Sequence, residues 1–244
     1  MKKIYLTFDM DWADDEMMRF FYDTVCKLDI YGTLNVTNDS AVLDVIRAED
    51  RLELGIHPNF NGLLQNSQSA GSIETVIKEL KQIVPESVSV RSHSLVTGSH
   101  IRKCFIENGL KYESNFLYTP QKGWKINCFQ DYTGLIQVPF IFEDDVYLLD
   151  KIKKPATWYF DECEVPLVFN FHPIHLFLNT EDISRYEKCK IYYHDYAKLT
   201  EFRNTENNRG VLNVLYDIVS LANEREYGFG KMKDIEIDEV QYLL

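Results

Sequence analysis

The chain lacks any cysteine pairing pattern: Cys26, Cys104, Cys128, Cys163 and Cys189 are odd in number, widely scattered and include no C-x-x-C pair. A disulfide framework is therefore not expected, and the thiols suit a reducing compartment. Basic residues are also few. The 26 Lys and Arg face 38 Asp and Glu, and the net charge of -12 disfavours nucleic acid and anionic membrane surfaces in general. A local basic patch could still take a phosphorylated ligand, but a small or neutral substrate is the expectation. Long apolar runs are missing too. Lys2 and Lys3 resemble the start of a signal peptide, yet the apolar stretch behind them ends at Asp9 and nothing later approaches a membrane-spanning length. The sequence thus reads as a cytoplasmic protein with no membrane insertion. No linker, repeat or low-complexity tract interrupts it, so residues 1–244 are expected to form one domain. Hydrophobic residues at 45% and aromatic residues at 14% supply an ample core.

Along the chain, strand and helix patterns alternate. Ile4 to Phe8 reads as a strand, and Glu16 to Asp29 follows with Met17, Phe20, Phe21, Val25 and Leu28 near helical spacing. Thr33 to Thr37 is a second strand, Ala41 to Asp50 a helix behind the capping run Asn38-Asp39-Ser40, and Leu52 to Ile56 a third strand. A helix from Ile73 to Val84 stops before Pro85 and hands over to the strand pattern Ser87 to Arg91; a further helix closes at Gly109. The runs "LIQVPFIF" and "VPLVFNF" read as buried strands, and Val211 to Glu224 as a long helix. This order predicts a parallel sheet or barrel covered by helices.

In such folds the active site lies at the carboxyl ends of the strands. The residues there are chemically alike. The first strand ends in Asp9 and Asp11, the third in His57 with Asn61 beyond, the fourth in Arg91 and His93, and "LVFNFHPIH" in His172 and His175. A lone histidine after a strand is usually a hydrogen-bonded structural residue, but four at converging strand ends form a pattern. Helix capping is the plainer reading of Asp9 and Asp11, although a capping aspartate needs no second carboxylate two positions earlier. Asp14, Asp15 and Glu16 read as first-turn acids, Trp12 as packing or substrate stacking, and His100 and His194 receive no role.

Carboxylate and imidazole together suit zinc or a neighbouring transition metal, whereas an all-carboxylate site suits magnesium. The magnesium alternative is a haloacid-dehalogenase-like phosphatase, with "FDMD" as its D-x-D motif and Glu143 to Asp145 as a later metal site. Those enzymes usually continue with Gly-Thr where this chain has Trp12-Ala13, and they have no use for His57, His93 and His172.

Five stretches in order, "YLTFDMD", "ELGIHPNFN", "VRSHS", "QVPFIF" and "LVFNFHPIH", resemble the motifs of the polysaccharide deacetylase (NodB-homology) family, the fourth family of carbohydrate esterases, and within it the O-antigen WbmS-like branch. The resemblance implies a distorted (β/α) barrel of about seven parallel strands and metal-dependent removal of acetyl groups from N-acetylated sugars. It implies Asp9 as general base, Asp11 and His57 as metal ligands, Arg91 as the holder of the base and His172 as general acid, with His175 as a second catalytic candidate beside it. The family's second motif has a further histidine where this chain has Asn61, and its third has proline where this chain has His93. His93 is therefore expected to supply the missing imidazole, with Asn61 in or near the ligand set. The fourth motif's Asp and Trp have no evident counterpart in "YTGLIQVPFIFEDD". The expected cofactor is a divalent ion, zinc first, with cobalt or iron as alternatives. The expected substrate is a nucleotide- or lipid-linked acetamido sugar for a surface polysaccharide, and a non-catalytic sugar-binding module is the alternative of a different class.

Overall fold

The computed structural model describes residues 2–65, 71–119, 125–163, 166–205 and 208–237. The strands are β1 (Lys3–Asp9), β2 (Gly32–Val36), β3 (Leu52–Ile56), β4 (Ser89–Val90), β5 (Tyr112–Glu113), β6 (Phe129–Gln130), β7 (Ile136–Gln137), β8 (Phe142–Glu143), β9 (Leu167–Phe171) and β10 (Gly228–Gly230). The helices are α1 (Asp15–Lys27), α2 (Val42–Glu49), α3 (Asn61–Leu64), α4 (Ile73–Ile83), α5 (Ser99–Glu107), α6 (Asp144–Leu149), α7 (Ala156–Glu162), α8 (Pro173–Leu178), α9 (Ile183–Cys189), α10 (Tyr196–Glu201) and α11 (Val211–Glu224).

β1 lies at the heart of the sheet with one face apolar, Ile4, Leu6 and Phe8 being fully buried, while Thr7 and Asp9 on the other face are buried as well. It pairs in parallel with β2 on one side and β9 on the other, while β10 takes its first residues. Among the described residues the sheet runs β6-β7-β5-β4-β3-β2-β1-β9-β8, with only the β6–β7 pair antiparallel. A parallel sheet covered on both faces buries its strands throughout, as in β2, β3 and β9, where all five residues are buried and Thr33, Asn35, Glu53 and Asn170 are the polar interruptions. Gly32 belongs to the same constraint: a Cβ there would stand 2.3 Å from the Leu6 carbonyl oxygen.

The stretch "IQVPFIFE" joins the two edges of the curled sheet. Its first residues pair with β5, Phe140 bridges Leu117, and its last residues pair with β9. Pro139 has no N–H to give to a ladder, which splits this expected single strand into β7 and β8. The result is a distorted (β/α) barrel as anticipated, made of more and shorter strands than seven. Helices cover it outside. α1 buries Met17, Met18, Phe21, Tyr22 and Val25 against the sheet, with Phe21 edge-on to Phe8 at 4.8 Å. α8, opened by Pro173 at its first turn, is buried at all six positions. Among the described residues no helix is long and apolar enough to cross a membrane.

Candidate metal centre and active site

The first strand delivers Asp9 into the barrel, almost wholly buried, and three neighbours converge on its carboxylate. Asn35 from β2 donates to Oδ1 at 2.7 Å, Asn170 from β9 donates to Oδ2 at 2.8 Å, and the Arg91 guanidinium donates to Oδ1 at 3.3 Å. Arg91 has no exposure at all. Its Nε and Nη2 donate to the Ser114 carbonyl and hydroxyl, the Nη1 that meets Asp9 also reaches Thr7 Oγ1 and Asn170 Oδ1, and its Cζ lies 4.3 Å from the Phe140 ring centre. A buried cation this fully hydrogen-bonded needs a matching charge, and Asp9 provides it. Burial alone would raise the Asp9 pKa, but Arg91 first, then His57 and His172, outweigh it and hold the carboxyl below its ordinary value.

Beyond Asp9 the chain leaves the strand. An extended D-x-D would alternate so that both side chains share one side, but Asp11 and Trp12 instead adopt left-handed backbone with φ of 45° and 58°. The turn is fastened by the Trp12 N–H donating to Thr37 Oγ1 at 2.8 Å and by the Tyr193 hydroxyl donating to the Asp11 carbonyl at 2.5 Å. It aims the Asp11 carboxylate at two imidazoles: His57 Nε2 lies 3.1 Å and His93 Nδ1 3.3 Å from Asp11 Oδ1. The two rings stand nearly perpendicular, at 87°, and Trp12 closes edge-on over His93 at 5.1 Å. Burial would raise the Asp11 pKa, but hydrogen bonds from His57 and His93 hold it well below the carboxylate range.

Asp11, His57 and His93 each offer a donor atom, and these atoms lie within 4.8 Å of one another. One carboxylate and two imidazoles form a donor set suited to zinc or a neighbouring transition ion, and Asp11 and His93 keep 21% and 27% of their side chains exposed toward the cleft, leaving an open position. The residues therefore fit a divalent cation. Asn61 is directed otherwise: its amide donates to Ser94 Oγ at 3.1 Å and its N–H to Asn59 Oδ1 at 2.9 Å.

His172 follows β9 and is pinned by Asp144, whose Oδ1 meets His172 Nδ1 at 2.6 Å and whose Oδ2 accepts the His172 backbone N–H at 2.7 Å. The opposite ring nitrogen, Nε2, faces Asp11 Oδ2 at 3.7 Å and Asp9 Oδ2 at 4.0 Å. Burial disfavours the imidazolium, yet Asp144, Asp145 and Asp11 together hold its pKa well above the ordinary histidine value. His175 has both ring nitrogens engaged, Nε2 with Asp145 at 2.6 Å and Nδ1 with Thr180 Oγ1 at 3.1 Å. Its contacts make it a support of this wall. Burial pushes the carboxyl of Glu143, at the end of β8, up to about 7.

The run Glu143 to Asp145, where no counterpart of the fourth motif's aspartate was evident, thus contains the carboxylate that backs His172. Asn35 and Asn170 were also missed, although a polar residue inside an apolar strand such as "TLNVT" or "LVFNF" is a legible signal for a buried hydrogen-bonded function. The supposed first-turn acids divide their work: Asp14 accepts the Met17 N–H as a cap, and Asp15 reaches across to Ser40 Oγ and the Ala41 N–H at the start of α2. His194, given no role from sequence, lines a cavity of about 480 Å3 together with Trp12, Tyr186, Lys190 and Tyr193. That cavity shares Asp11, His93, Asp145 and His172 with an inner one of about 260 Å3 that reaches Asp9, His57 and Glu143, so the two form one cleft.

Comparison with known proteins places the fold in a family. Residues 6–190 match the family model described as WbmS-like polysaccharide deacetylase. A crystal structure from Bordetella bronchiseptica, described as a polysaccharide deacetylase involved in O-antigen biosynthesis, is 32% identical with a TM-score of 0.81, covering 89% of this chain and 90% of that one. The polysaccharide deacetylase Bc1974 from Bacillus cereus (14% identical, TM-score 0.51, covering 99% of this chain and 95% of that one) shares the fold. So does a family 4 carbohydrate esterase from Streptomyces lividans (10% identical, TM-score 0.51, covering 94% of this chain and 92% of that one). No curated protein matches. Nothing among these matches supports the phosphatase alternative; the chain belongs to the WbmS-like polysaccharide deacetylase family.

Proposed function

We propose that the chain is a metal-dependent hydrolase that removes the N-acetyl group from an acetamido sugar used in surface-polysaccharide biosynthesis. The observation that carries this reading is the convergence of Asp9, Asp11 and His172 Nε2, within 4.0 Å, on one cleft in a member of a deacetylase family. A divalent cation held by Asp11, His57 and His93, with zinc favoured over cobalt or iron, supplies when bound the polarisation of the acetyl carbonyl and the acidification of water.

The remaining steps belong to the chain's own residues. Asp9, kept ionised by Arg91, accepts a proton from the attacking water, and the amides of Asn35 and Asn170 fix the direction of its oxygens. An amide nitrogen leaves poorly unless protonated. His172, charged through its contact with Asp144, donates its Nε2 proton to the departing sugar nitrogen, while Asp144 on Nδ1 fixes the ring's tautomer and orientation. The C–N bond breaks, and acetate and a free amino sugar result.

The neighbour's described role in O-antigen biosynthesis supports a nucleotide- or lipid-linked precursor as substrate, and five free cysteines support a cytoplasmic setting. Acetate release from N-acetylated sugars by the metal-loaded protein tests the proposal. Stoichiometric metal without acetate release from any of them would return the chain to the sugar-binding alternative.

A further inference from the structure

The outer part of the cleft differs in chemistry from its floor. Asp11 is turned to His57 and His93, and Asp145 to His175, so both carboxylates of the outer cavity are engaged at its inner end. One wall comes from α9 and the 3-10 turn Lys190–Tyr192 with the two residues after it, and it is aromatic: Tyr186, Tyr193 and His194, with Trp12 also lining the cavity. Such rings suit the C–H face of a sugar. Among the described residues lining this cavity, Lys190 is the only lysine or arginine, in a chain where acids outnumber bases 38 to 26. Its ammonium lies 5.6 Å from the centre of the Tyr186 ring, whose edge in turn meets His175 at 5.0 Å. Among the described residues its ion pair is with Glu187 at 3.6 Å, which joins two side chains each more than half exposed and leaves the cation available. Glu187 does not line the cavity.

We propose that Lys190 receives a phosphate group carried by the acetamido-sugar substrate, so that the enzyme acts on a sugar phosphate or diphosphate and not on a neutral polysaccharide. This deepens the deacetylase reading and rests on it. A neutral sugar held by a metal and aromatic rings gives a cation in the wall of the cleft nothing to bind, whereas lysine is a good point-charge partner for phosphate. The cavity of about 480 Å3 is of the size that takes a drug-sized ligand, which leaves room for a sugar ring plus its phosphate substituent. The Tyr193 hydroxyl on the Asp11 carbonyl ties this wall to the metal-binding turn, which fixes the distance between phosphate and acetyl ends.

The test uses metal-loaded full-length protein and titration calorimetry with N-acetylglucosamine 1-phosphate and with N-acetylglucosamine. Wild type should bind the phosphate roughly tenfold or more tightly, the scale of one charge-assisted hydrogen bond. In Lys190→Ala the ratio of the two affinities should fall toward one, and Lys190→Arg should restore most of it. A ratio unchanged in Lys190→Ala, a ratio of one in wild type, or no detectable binding of the phosphate would each overturn the proposal. Acetate release from UDP-N-acetylglucosamine against polyprenyl-diphosphate N-acetylglucosamine then separates nucleotide from lipid as the phosphate's source. Acetate release without phosphate preference sinks this inference alone; phosphate preference without acetate release from any substrate sinks the deacetylase reading.

Discussion

Asp144 holds His172 at two points, the ring Nδ1 at 2.6 Å and the backbone N–H at 2.7 Å, from a helix start 28 residues earlier in the chain. The pairing fixes both the position and the charge of the ring. Replacing Asp144 by Asn removes the negative charge while keeping an acceptor oxygen, so the His172 pKa should fall. In the rate profile of acetate release the alkaline limb should move to lower pH, with kcat down by about 10- to 100-fold, the scale of general acid–base effects. Metal content should not change. An unmoved limb would show that another group donates the proton.

Asp9→Asn separates binding from chemistry. The amide cannot take the water's proton, so turnover should fall by roughly 100-fold or more while the metal stays. The variant should also be less stable, because three donors, from Asn35, Asn170 and Arg91, then face a neutral group with one acceptor oxygen. Loss of metal in Asp9→Asn would make Asp9 a ligand.

Arg91→Met tests the same contact from the other side. Removing one partner of a buried ion pair should cost about 3–5 kcal/mol in denaturant unfolding. A loss under 1 kcal/mol would show that Asp9 does not depend on this guanidinium.

How much of this was visible in the sequence follows from local signal strength. Asp9, His57, Arg91, His93 and His172 stand at or just after apolar runs; the structure brings four of them to one cleft and buries Arg91 behind it against Asp9. Leu52–Ile56 and Val211–Glu224 form with the expected bounds because their patterns are long or uninterrupted. α6 to α10 have only six or seven residues each, too few for a helical period to declare itself. β4 keeps two ladder residues where five were expected, and just beyond it side chains replace the ladder: Asn115 Oδ1 accepts the Ser92 N–H at 2.7 Å, and Arg91 takes the Ser114 carbonyl. Asp144 was illegible for another reason. Three adjacent acids look alike in sequence, and only the start of α6 turns Asp144 toward His172 and Asp145 toward His175.

The metal-free protein should lose stability in acid. Burial raises the Asp145 pKa, but His172 and the hydrogen bond from His175 lower it to about 2; Asp9 is depressed as well. In both, the unfolded state binds protons more readily, so their contribution is present above the unfolded pKa of about 3.9 and is lost as pH falls below it. His172 has the opposite sign: its raised pKa contributes below about 6.5 and is lost as pH rises through the folded value. Melting temperature against pH should therefore fall from about pH 5 downward, less steeply in Asp145→Asn. A flat acid limb in wild type would contradict these pairings.

The central claim is that Asp11, His57 and His93 hold the metal on which deacetylation depends. The most direct measurement is metal content and acetate release together, in wild type and in His57→Ala, His93→Ala and Asn61→Ala, before chelation and after return of one equivalent of zinc. The account predicts that chelation abolishes acetate release in wild type and zinc restores it. His93→Ala should fail to retain zinc as completely as His57→Ala, while Asn61→Ala keeps it. Full zinc occupancy in His93→Ala with loss in Asn61→Ala would contradict the proposed ligand set, and acetate release that survives chelation would contradict the metal dependence itself.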